Sequence, residues 1–212
     1  MTRRPRGGWS RAALLGLSAA LAGAAWAGEP RAETCWQVAP GSLEITWQAR
    51  WGETVITGGF RNARVAIMFD EDAPEAARIE AEIAIDSLHA SDPEAVGLLR
   101  DSAWFDPQRH PLARYEAKGL APLGAEGGTR RYRAEGLLTL KGRTAPVPLL
   151  IRLTPADDGL AAEAQGVIDR TVFGIGAGPI AAQTAREVSL HIRLRARPSA
   201  CGRADDMSDF HH

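Results

Sequence analysis

The chain has 212 residues, 45% of them hydrophobic and 24% charged, which excludes a wholly disordered chain, a collagen-like repeat and a polytopic membrane protein. The formal net charge is -1. Four of the 25 basic residues lie within the first 11 positions, where there is no acid, so the rest of the chain holds 21 basic residues against 26 acidic ones. This acidic balance argues against a nucleic-acid binder held by phosphate contacts.

The first predicted element is a signal peptide at 1–27. Arginines precede an apolar run at 12–25, and Ala25-Trp26-Ala27 matches the small-residue pattern of a cleavage site. The run is shorter than the roughly 20 residues that span a membrane. An amphipathic helix is the alternative, but no polar face recurs through the run. We therefore expect a secreted protein whose residues 1–27 are removed, with no membrane span in the mature chain.

From Ser42 onward the dominant apolar period is two, which is typical of half-buried antiparallel strands. In the last such run, Val188 and every second residue to Leu194 are apolar, whereas the residues between them are polar or charged. Regular short strands with one apolar face indicate a barrel or a sandwich in a single domain. The pattern predicts nine strands, at 42–51, 53–60, 63–70, 78–86, 112–121, 131–141, 145–154, 160–170 and 186–197.

Local signals refine this pattern at three places. Gly142 suits a tight hairpin turn between 131–141 and 145–154. Pro146 and Pro148 share one face of the second strand, which predicts an edge or a bulge there. Asp92-Pro93-Glu94 resembles a helix start, with an N-cap, a proline at the first position and an acidic first turn, so a short helix should run to about Arg100.

The two cysteines flank the strand-like region. Cys35 comes just before the first run and Cys201 just after the last. In an oxidising compartment such a pair is more typical of a disulfide than of a metal or redox site, and there is no C-x-x-C motif. We therefore predict a Cys35–Cys201 disulfide, which would join neighbouring strands if the sheet closes into a barrel.

Common catalytic motifs are missing from the sequence: it has no G-x-S-x-G, no H-E-x-x-H and no phosphate-binding G-x-x-x-x-G-K-(S/T). The glycines at 174–178 are followed by Pro179 and by no helix pattern, which indicates a loop rather than a dinucleotide site. His110 stands in a turn-like segment and His191 on the charged face of a strand. We therefore predict no catalytic residue, no metal site and no cofactor.

Four blocks of sequence resemble the YceI family. The first comprises Gly58-Gly59-Phe60, Phe69-Asp70 and Asp86-Ser87 before the short helix; the second is Phe105-Asp106 with Pro111, similar to Phe-Asp-x4-Pro. The third, 136–147, resembles the hairpin G-x-L-T-(I/L)-x-G-x-T-x-x-V, and the fourth, 170–175, resembles the loop R-x-x-F-G. The blocks keep the family's order over about 36–196.

The resemblance implies an all-β fold: a single antiparallel, lipocalin-like barrel of about eight strands with one short helix. We expect the barrel domain at 28–202 and a polar, disordered tail at 203–212. The implied function is to carry or sequester a polyisoprenoid, an isoprenoid quinone among the candidates, or a similar long-chain lipid in the periplasm. A ligand headgroup would stay near the mouth, beside the loops that hold Arg170 or His110.

The alternation assigns apolar side chains to the interior, although it does not distinguish a lined cavity from a packed core. The residues expected to contact a ligand are Trp47, Phe60, Phe69, Ile83, Ile85, Phe105, Leu138, Leu140, Val147, Phe173, Leu190 and Ile192. Val65, Ile67 and Leu149 are also expected to face inward.

Two alternatives remain at this point. One is a lipid- or quinone-modifying enzyme with an apolar pocket and His110 or Asp106 as the acid–base group. The other is an interaction module whose barrel is packed full. The expected partner is a long-chain isoprenoid or other lipid and not a nucleic acid; a transient contact with the inner membrane or a membrane redox protein, and a homodimer, are open.

Overall fold

Strands make up most of the chain in the structure, a computed structural model that describes residues 34–177 and 179–201. One α-helix, α1, spans Pro93–Arg100, and 3-10 helices span Pro74–Ala76, Ile85–Ser87 and Pro179–Gln183. The predicted signal peptide and the tail at 203–212 lie outside the described residues. The strands are β1 (Thr34–Val38), β2 (Glu44–Trp51), β3 (Thr54–Phe60), β4 (Ala63–Met68), β5 (Arg78–Ala84), β6 (Leu88–Ala90), β7 (Leu112–Glu126), β8 (Thr129–Leu140), β9 (Arg143–Ala156), β10 (Gly159–Asp169) and β11 (Thr184–Ala200).

The sheet closes on itself because β1 pairs with β4 on one side and with β11 on the other. The closed ring runs β1-β4-β5-β7-β8-β9-β10-β11, and every pairing in it is antiparallel. Strand β2 continues the line of β1 along β11, and β3 and β6 extend the sheet from there. The predicted lipocalin-like antiparallel barrel of about eight strands with one short helix is confirmed.

The barrel has two ends with different coverings. The disulfide end holds Cys35 and Cys201, which form the predicted bridge with Cα atoms 4.9 Å apart. The opposite end, here called the helix end, holds α1 and the turns that follow β8 and β10. The bridge joins β1 to Cys201, the residue that follows β11. Cys35 already lies opposite Ser199 in the β1–β11 ladder.

Two strands were not predicted from the sequence. Strand β1 is separated from β2 by a turn in which the Ser42 amide donates to Ala39 O at 3.1 Å, so no continuous period reaches it. Strand β6 has three residues, too few to show a period, and exists because it pairs with Gly58–Phe60 on β3. Both strands depend on long-range partners rather than on their own sequence pattern.

The hairpin between β8 and β9 turns at Lys141 and Gly142, whose φ angles are +51° and +72°. Two consecutive residues in the left-handed region are typical of the two-residue turn whose twist matches that of the flanking strands. Lys141 is held there because its Nζ donates to Ser102 O at 2.7 Å and to Gly174 O at 3.1 Å. The predicted hairpin is confirmed.

Helix α1 begins and ends as the sequence indicates. The Asp92 side chain accepts a hydrogen bond from the Glu94 amide at 2.9 Å, and Pro93 occupies the first helical position. The helix packs against β6 at the helix end. Among the described residues, no helix has the length and apolarity needed to cross a membrane.

Candidate functional site

The barrel encloses two adjacent cavities whose exposed walls are apolar. The disulfide-end cavity has about 1130 Å³ of non-atom space and the helix-end cavity about 820 Å³, both counted with the part open to solvent. They share four wall residues, Ile45, Ile83, Leu138 and Leu190, and are therefore neighbours along the barrel interior. An eight-stranded barrel is wide enough to hold one ligand, and these cavities show that side chains do not fill this one.

Eleven of the twelve residues expected to contact a ligand lie in these walls. Phe69, Val147 and Ile192 lie in the wall of the disulfide-end cavity, and Ile83, Leu138 and Leu190 lie in both walls. The helix-end cavity has Trp47, Phe60, Ile85, Phe105 and Leu140. Val65, Ile67 and Leu149 also belong to the disulfide-end cavity. Their contact with a ligand stays a prediction.

Phe173 is the exception, and its expected place in the lining is wrong. It belongs to neither cavity wall, and its side chain is 1% exposed within the hydrophobic core. The turn after β10 folds it inward: the Phe173 amide donates to Arg170 O at 3.2 Å and the Ile175 amide to the same oxygen at 3.1 Å. Phe173 therefore packs beneath the turn, and Ile175 reaches the helix-end cavity in its place.

Two tryptophans outside the predicted strands also contribute to the walls, and the period-two pattern did not identify them. Trp36 contributes to the disulfide-end cavity and is fixed there because its Nε1 donates to Phe69 O at 2.9 Å. Trp104 contributes to the helix-end cavity from the loop after α1. Leu99 on α1 also lies in the wall of the helix-end cavity, and its helical spacing after Ala95 was the sequence signal for the apolar face of the helix.

Arg170 is the charged residue in the wall of the helix-end cavity, with 5% of its surface exposed. Burial lowers the pKa of this guanidinium from its ordinary value, and the Asp169 carboxylate opposes that shift. Its Nε, Nη1 and Nη2 atoms donate to the backbone carbonyls of Ala185, Ile175, Gly176, Ala181 and Thr184 at 2.7–3.5 Å. The guanidinium is thus engaged by the protein itself, and it holds the backbone at 175–176 and 181–185 at the helix end.

Trp47 carries a buried N–H for which no described residue supplies an acceptor. Its side chain is 6% exposed, it contributes to the helix-end cavity, and its ring lies on Gly58, where a Cβ would overlap it. Gly58 is therefore required by the close approach of the indole. A buried donor without a partner costs about 1–3 kcal/mol.

Tyr115 provides a polar group in the wall of the disulfide-end cavity, and it is satisfied. Its hydroxyl donates to Val147 O at 3.2 Å, and its ring covers Gly136. Burial, together with the nearby Glu135 charge, raises the pKa of the Tyr115 hydroxyl well above its ordinary value. The phenol therefore stays neutral, and the wall keeps its uncharged character.

Neither acid–base group of the enzyme alternative reaches these cavities. Asp106, which has φ +50°, accepts the His110 amide at 2.9 Å through its backbone oxygen in a turn. The two residues belong to neither cavity wall.

Burial lowers the pKa of the Lys141 ammonium, and the nearby Asp106 charge opposes this shift. No group of three or more His, Cys, Asp or Glu side chains in the described part is arranged to hold a metal ion.

A closed antiparallel barrel around an apolar interior defines the class of lipocalin-like barrels. Within that class the chain belongs to the family of the YceI-like domain, whose family model matches residues 36–196. The resemblance of the four sequence blocks is thereby confirmed.

Comparisons with individual proteins agree with this membership. A UPF0312 protein of Azotobacter vinelandii is 27% identical over 101 residues, 48% of this chain and 50% of its own, so the match spans about half of that relative. Burkholderia cenocepacia BcnA has a TM-score of 0.63 at 23% identity, covering 74% of this chain and 98% of its own. A polyisoprenoid binding domain from Saccharophagus degradans, implicated in plant cell wall breakdown, has a TM-score of 0.58 at 13% identity, with 79% and 99% covered. These structural likenesses show the fold.

Proposed function

We propose that the protein binds a polyisoprenoid, or a lipid with a similar long apolar chain, inside the barrel and carries or sequesters it. The observation that carries the proposal is the pair of adjacent apolar cavities with four shared wall residues. A solved structure of the same fold is described as a polyisoprenoid binding domain, which supports this class of ligand. An isoprenoid quinone is one candidate within the class.

The energetics favour a long chain. Burying one methylene is worth about 0.8 kcal/mol, so each five-carbon prenyl unit offers about 3–4 kcal/mol before costs. Ordering the flexible chain and losing its free motion subtract from this gain. Affinity should therefore rise with chain length, but less than proportionally.

The proposed setting is the periplasm, reached through the signal peptide predicted at 1–27. The Cys35–Cys201 disulfide supports an oxidising compartment. A transient contact with the inner membrane or a membrane redox protein would then supply and receive the lipid, and a homodimer is a further proposal. Fractionation of expressing cells, with the mass of the mature protein, tests the compartment and the cleavage together.

Organic extraction of the purified protein, with mass spectrometry of the extract, tests the proposed ligand. We expect a long-chain lipid in the extract and its absence from an extract of the Ile85→Trp variant. Ile85 lies in the wall of the helix-end cavity, so an indole there would take ligand space while the empty barrel stays folded. If the protein remains empty after incubation with a polyprenol, the proposed function is wrong and the alternative of an interaction module is favoured.

Phe173→Trp is the matched control, because Phe173 is as buried as Ile85, at 1% exposed, but lies in neither cavity wall. Overpacking there should destabilise the barrel by about 1–3 kcal/mol without removing lipid from the folded molecules. Turnover of the extracted lipid, abolished by His110→Ala in a folded variant, would instead establish the enzyme alternative.

A further inference from the structure

Strands β9 and β10 are neighbours in the barrel wall but form a ladder along only part of their lengths. Their pairing runs from Ala156 opposite Gly159 to Leu150 opposite Gln165 and ends there. Beyond that point β9 still pairs with β8, and β10 still pairs with β11. We call the stretch between residues 143–149 and 166–169 the seam; no pairing in the described part of the chain joins its two sides.

Two prolines account for the end of the ladder. Strand residues alternate in the neighbour that their backbone groups face, so Pro146, Pro148 and Leu150 face the same side. That side is β10, because β9 keeps its pairing with β8 past both prolines and Pro148 O lies 3.1 Å from the position a Cβ on Gly166 would take. Proline has no N–H to donate. The next two ladder donors of β9 toward β10 are therefore missing.

A side chain closes the seam from inside. Gly166 faces the interior, and Leu149 Cδ2 lies 2.6 Å from the position of a Cβ on Gly166, so the leucine occupies the space that a larger residue would fill. At the helix-end tip, Arg143 Nη1 donates to Val172 O at 3.3 Å. The seam is held by packing and by this exposed side-chain contact rather than by a backbone ladder.

Apolar surface lies on both sides of the seam. Inside, Val147 and Leu149 line the disulfide-end cavity, and Ile168 lines the helix-end cavity. Outside, three large hydrophobic side chains are about half exposed on the strands and turn that border it, Leu150, Val167 and Val172, and Leu137 is equally exposed on β8, opposite Pro146. These are four of the seven large exposed hydrophobic residues in the described part of the chain. Isolated exposed apolar residues need no explanation, but a cluster over a weak point in the wall does.

We propose that the seam is the portal through which the apolar chain of the ligand passes into and out of the barrel. The inference rests on the proposed function. Passage through any fully paired part of the wall would break ladder hydrogen bonds, whereas passage at the seam requires Leu149 to change rotamer and the strands to part. At the two ends, the disulfide fastens the neighbouring strands β1 and β11 to each other at one, and the five carbonyl contacts of Arg170 fix the chain at the other. The half-exposed hydrophobic side chains outside the seam offer an apolar surface to the ligand chain as it enters.

A disulfide across the seam tests the portal. The variant carries Pro148→Cys and Val167→Cys, the next outward-facing positions if the β9–β10 register is continued, and closure is checked by mass spectrometry and thiol titration. The matched control carries Arg152→Cys and Glu163→Cys, which lie opposite each other in the paired part of the same two strands. Uptake of geranylgeraniol is followed by stopped-flow tryptophan fluorescence, because Trp36, Trp47 and Trp104 all line the cavities. Release is measured by mixing loaded protein with excess phosphatidylcholine vesicles.

We expect the bridge across the seam to slow both uptake and release at least tenfold and to change the ratio of the two rates less than twofold. The control bridge should leave both rates unchanged. Exchange at the wild-type rate with the seam bridged would overturn the portal and leave the proposed function standing. If wild-type protein takes up no geranylgeraniol and no longer polyprenol, the proposed function fails and the portal fails with it.

A second variant decides the question if the cysteine pair does not close. Pro146→Val with Pro148→Val returns two N–H donors to the side of β9 that faces β10, so the ladder can extend and exchange should again slow. Pro155→Val, in the paired part of β9 opposite Leu160, is the control. New amides at 146 and 148 that are protected from hydrogen exchange, together with unchanged ligand kinetics, would contradict the proposal.

Discussion

The guanidinium of Arg170 lies 5.7 Å from the ring centre of Trp104, and the two side chains meet in the wall of the helix-end cavity. The positive charge has no carboxylate among its hydrogen-bond partners. Backbone carbonyl oxygens and the face of the indole surround it instead. This arrangement keeps the cavity wall apolar while fixing the segment that covers the helix end.

Arg170→Lys should destabilise the protein by at least about 2 kcal/mol, although the charge is kept. An ammonium has three donors and no planar fork, so carbonyls of the 175–185 segment lose their partners, and hydrogen bonds to charged groups are worth about 1.5–3 kcal/mol each. Urea unfolding measures the change. A loss within about 0.5 kcal/mol would mean that this network does not hold the end.

Trp47→Phe and Trp104→Phe form a matched pair, because both tryptophans are buried, at 6% and 5% exposed, and both line the helix-end cavity. Trp47→Phe removes a donor that has no partner, which offsets part of the lost packing. Trp104→Phe weakens the contact with Arg170, worth about 0.5–2 kcal/mol. We expect Trp104→Phe to cost more in free energy of unfolding; the reverse order would show that the Trp47 N–H is satisfied in solution.

Reduction of the Cys35–Cys201 bridge should lower stability without unfolding the barrel at room temperature. The bridge closes a loop with a sequence separation of 166, for which the chain-entropy model sets a limit of about 4–5 kcal/mol. The β1–β11 ladder beside it still joins the two ends. Thermal unfolding of oxidised, reduced and Cys35→Ser/Cys201→Ser protein tests this. Two free thiols in protein isolated without reductant would contradict the disulfide itself.

Asp169→Asn should lower the unfolding temperature at pH 7. The Asp169 carboxylate accepts from the Thr171 hydroxyl at 2.6 Å, from the Thr171 amide at 2.9 Å and from Arg186 at 2.8 Å, and these contacts, the Thr171 hydroxyl first, hold its pKa below the ordinary value. A depressed pKa stabilises the folded state above the unfolded pKa, near 4, and the benefit disappears as pH falls through the folded value.

The difference between wild type and Asp169→Asn should therefore shrink as the pH is lowered from about 5. Asp158→Asn serves as the control, since it removes only an exposed ion pair with Arg197 at 3.0 Å. A gap that stays constant across this pH range would show that the charge on Asp169 is not what stabilises the turn.

Much of the strand pattern could be predicted because each long strand has one face in the core and one in water. In β11, Leu190 and Ile192 line the cavities while His191 and Arg193 face outward, as the alternation indicates. The edge or bulge predicted at Pro146 and Pro148 is a local edge: at both prolines β9 keeps its pairing with β8 but has none with β10. Alternation reports burial on each face and carries no information on which neighbour is absent.

The site could be predicted mainly where it is built from strands. Ile83 on β5 and Leu140 on β8 were identified by their period, whereas Trp104 and Ile175 come from loops in which side-chain direction is set by turn geometry. Phe173 failed for the same reason, since two amides that share one carbonyl turn its ring into the core. The hydrogen bonds from Arg170 to backbone carbonyls could not be predicted from the sequence, because every residue supplies a carbonyl.

The disulfide also determines how the protein would respond to mechanical force. Because Cys35 is bonded to Cys201, tension applied to the chain ends passes through the sulfur bridge and bypasses every strand after Cys35. A single molecule pulled by its termini in oxidising buffer should therefore lengthen only by its end segments, whereas the reduced molecule should release the whole barrel. While the bridge is intact, tension on the chain ends should therefore place no load on the barrel strands.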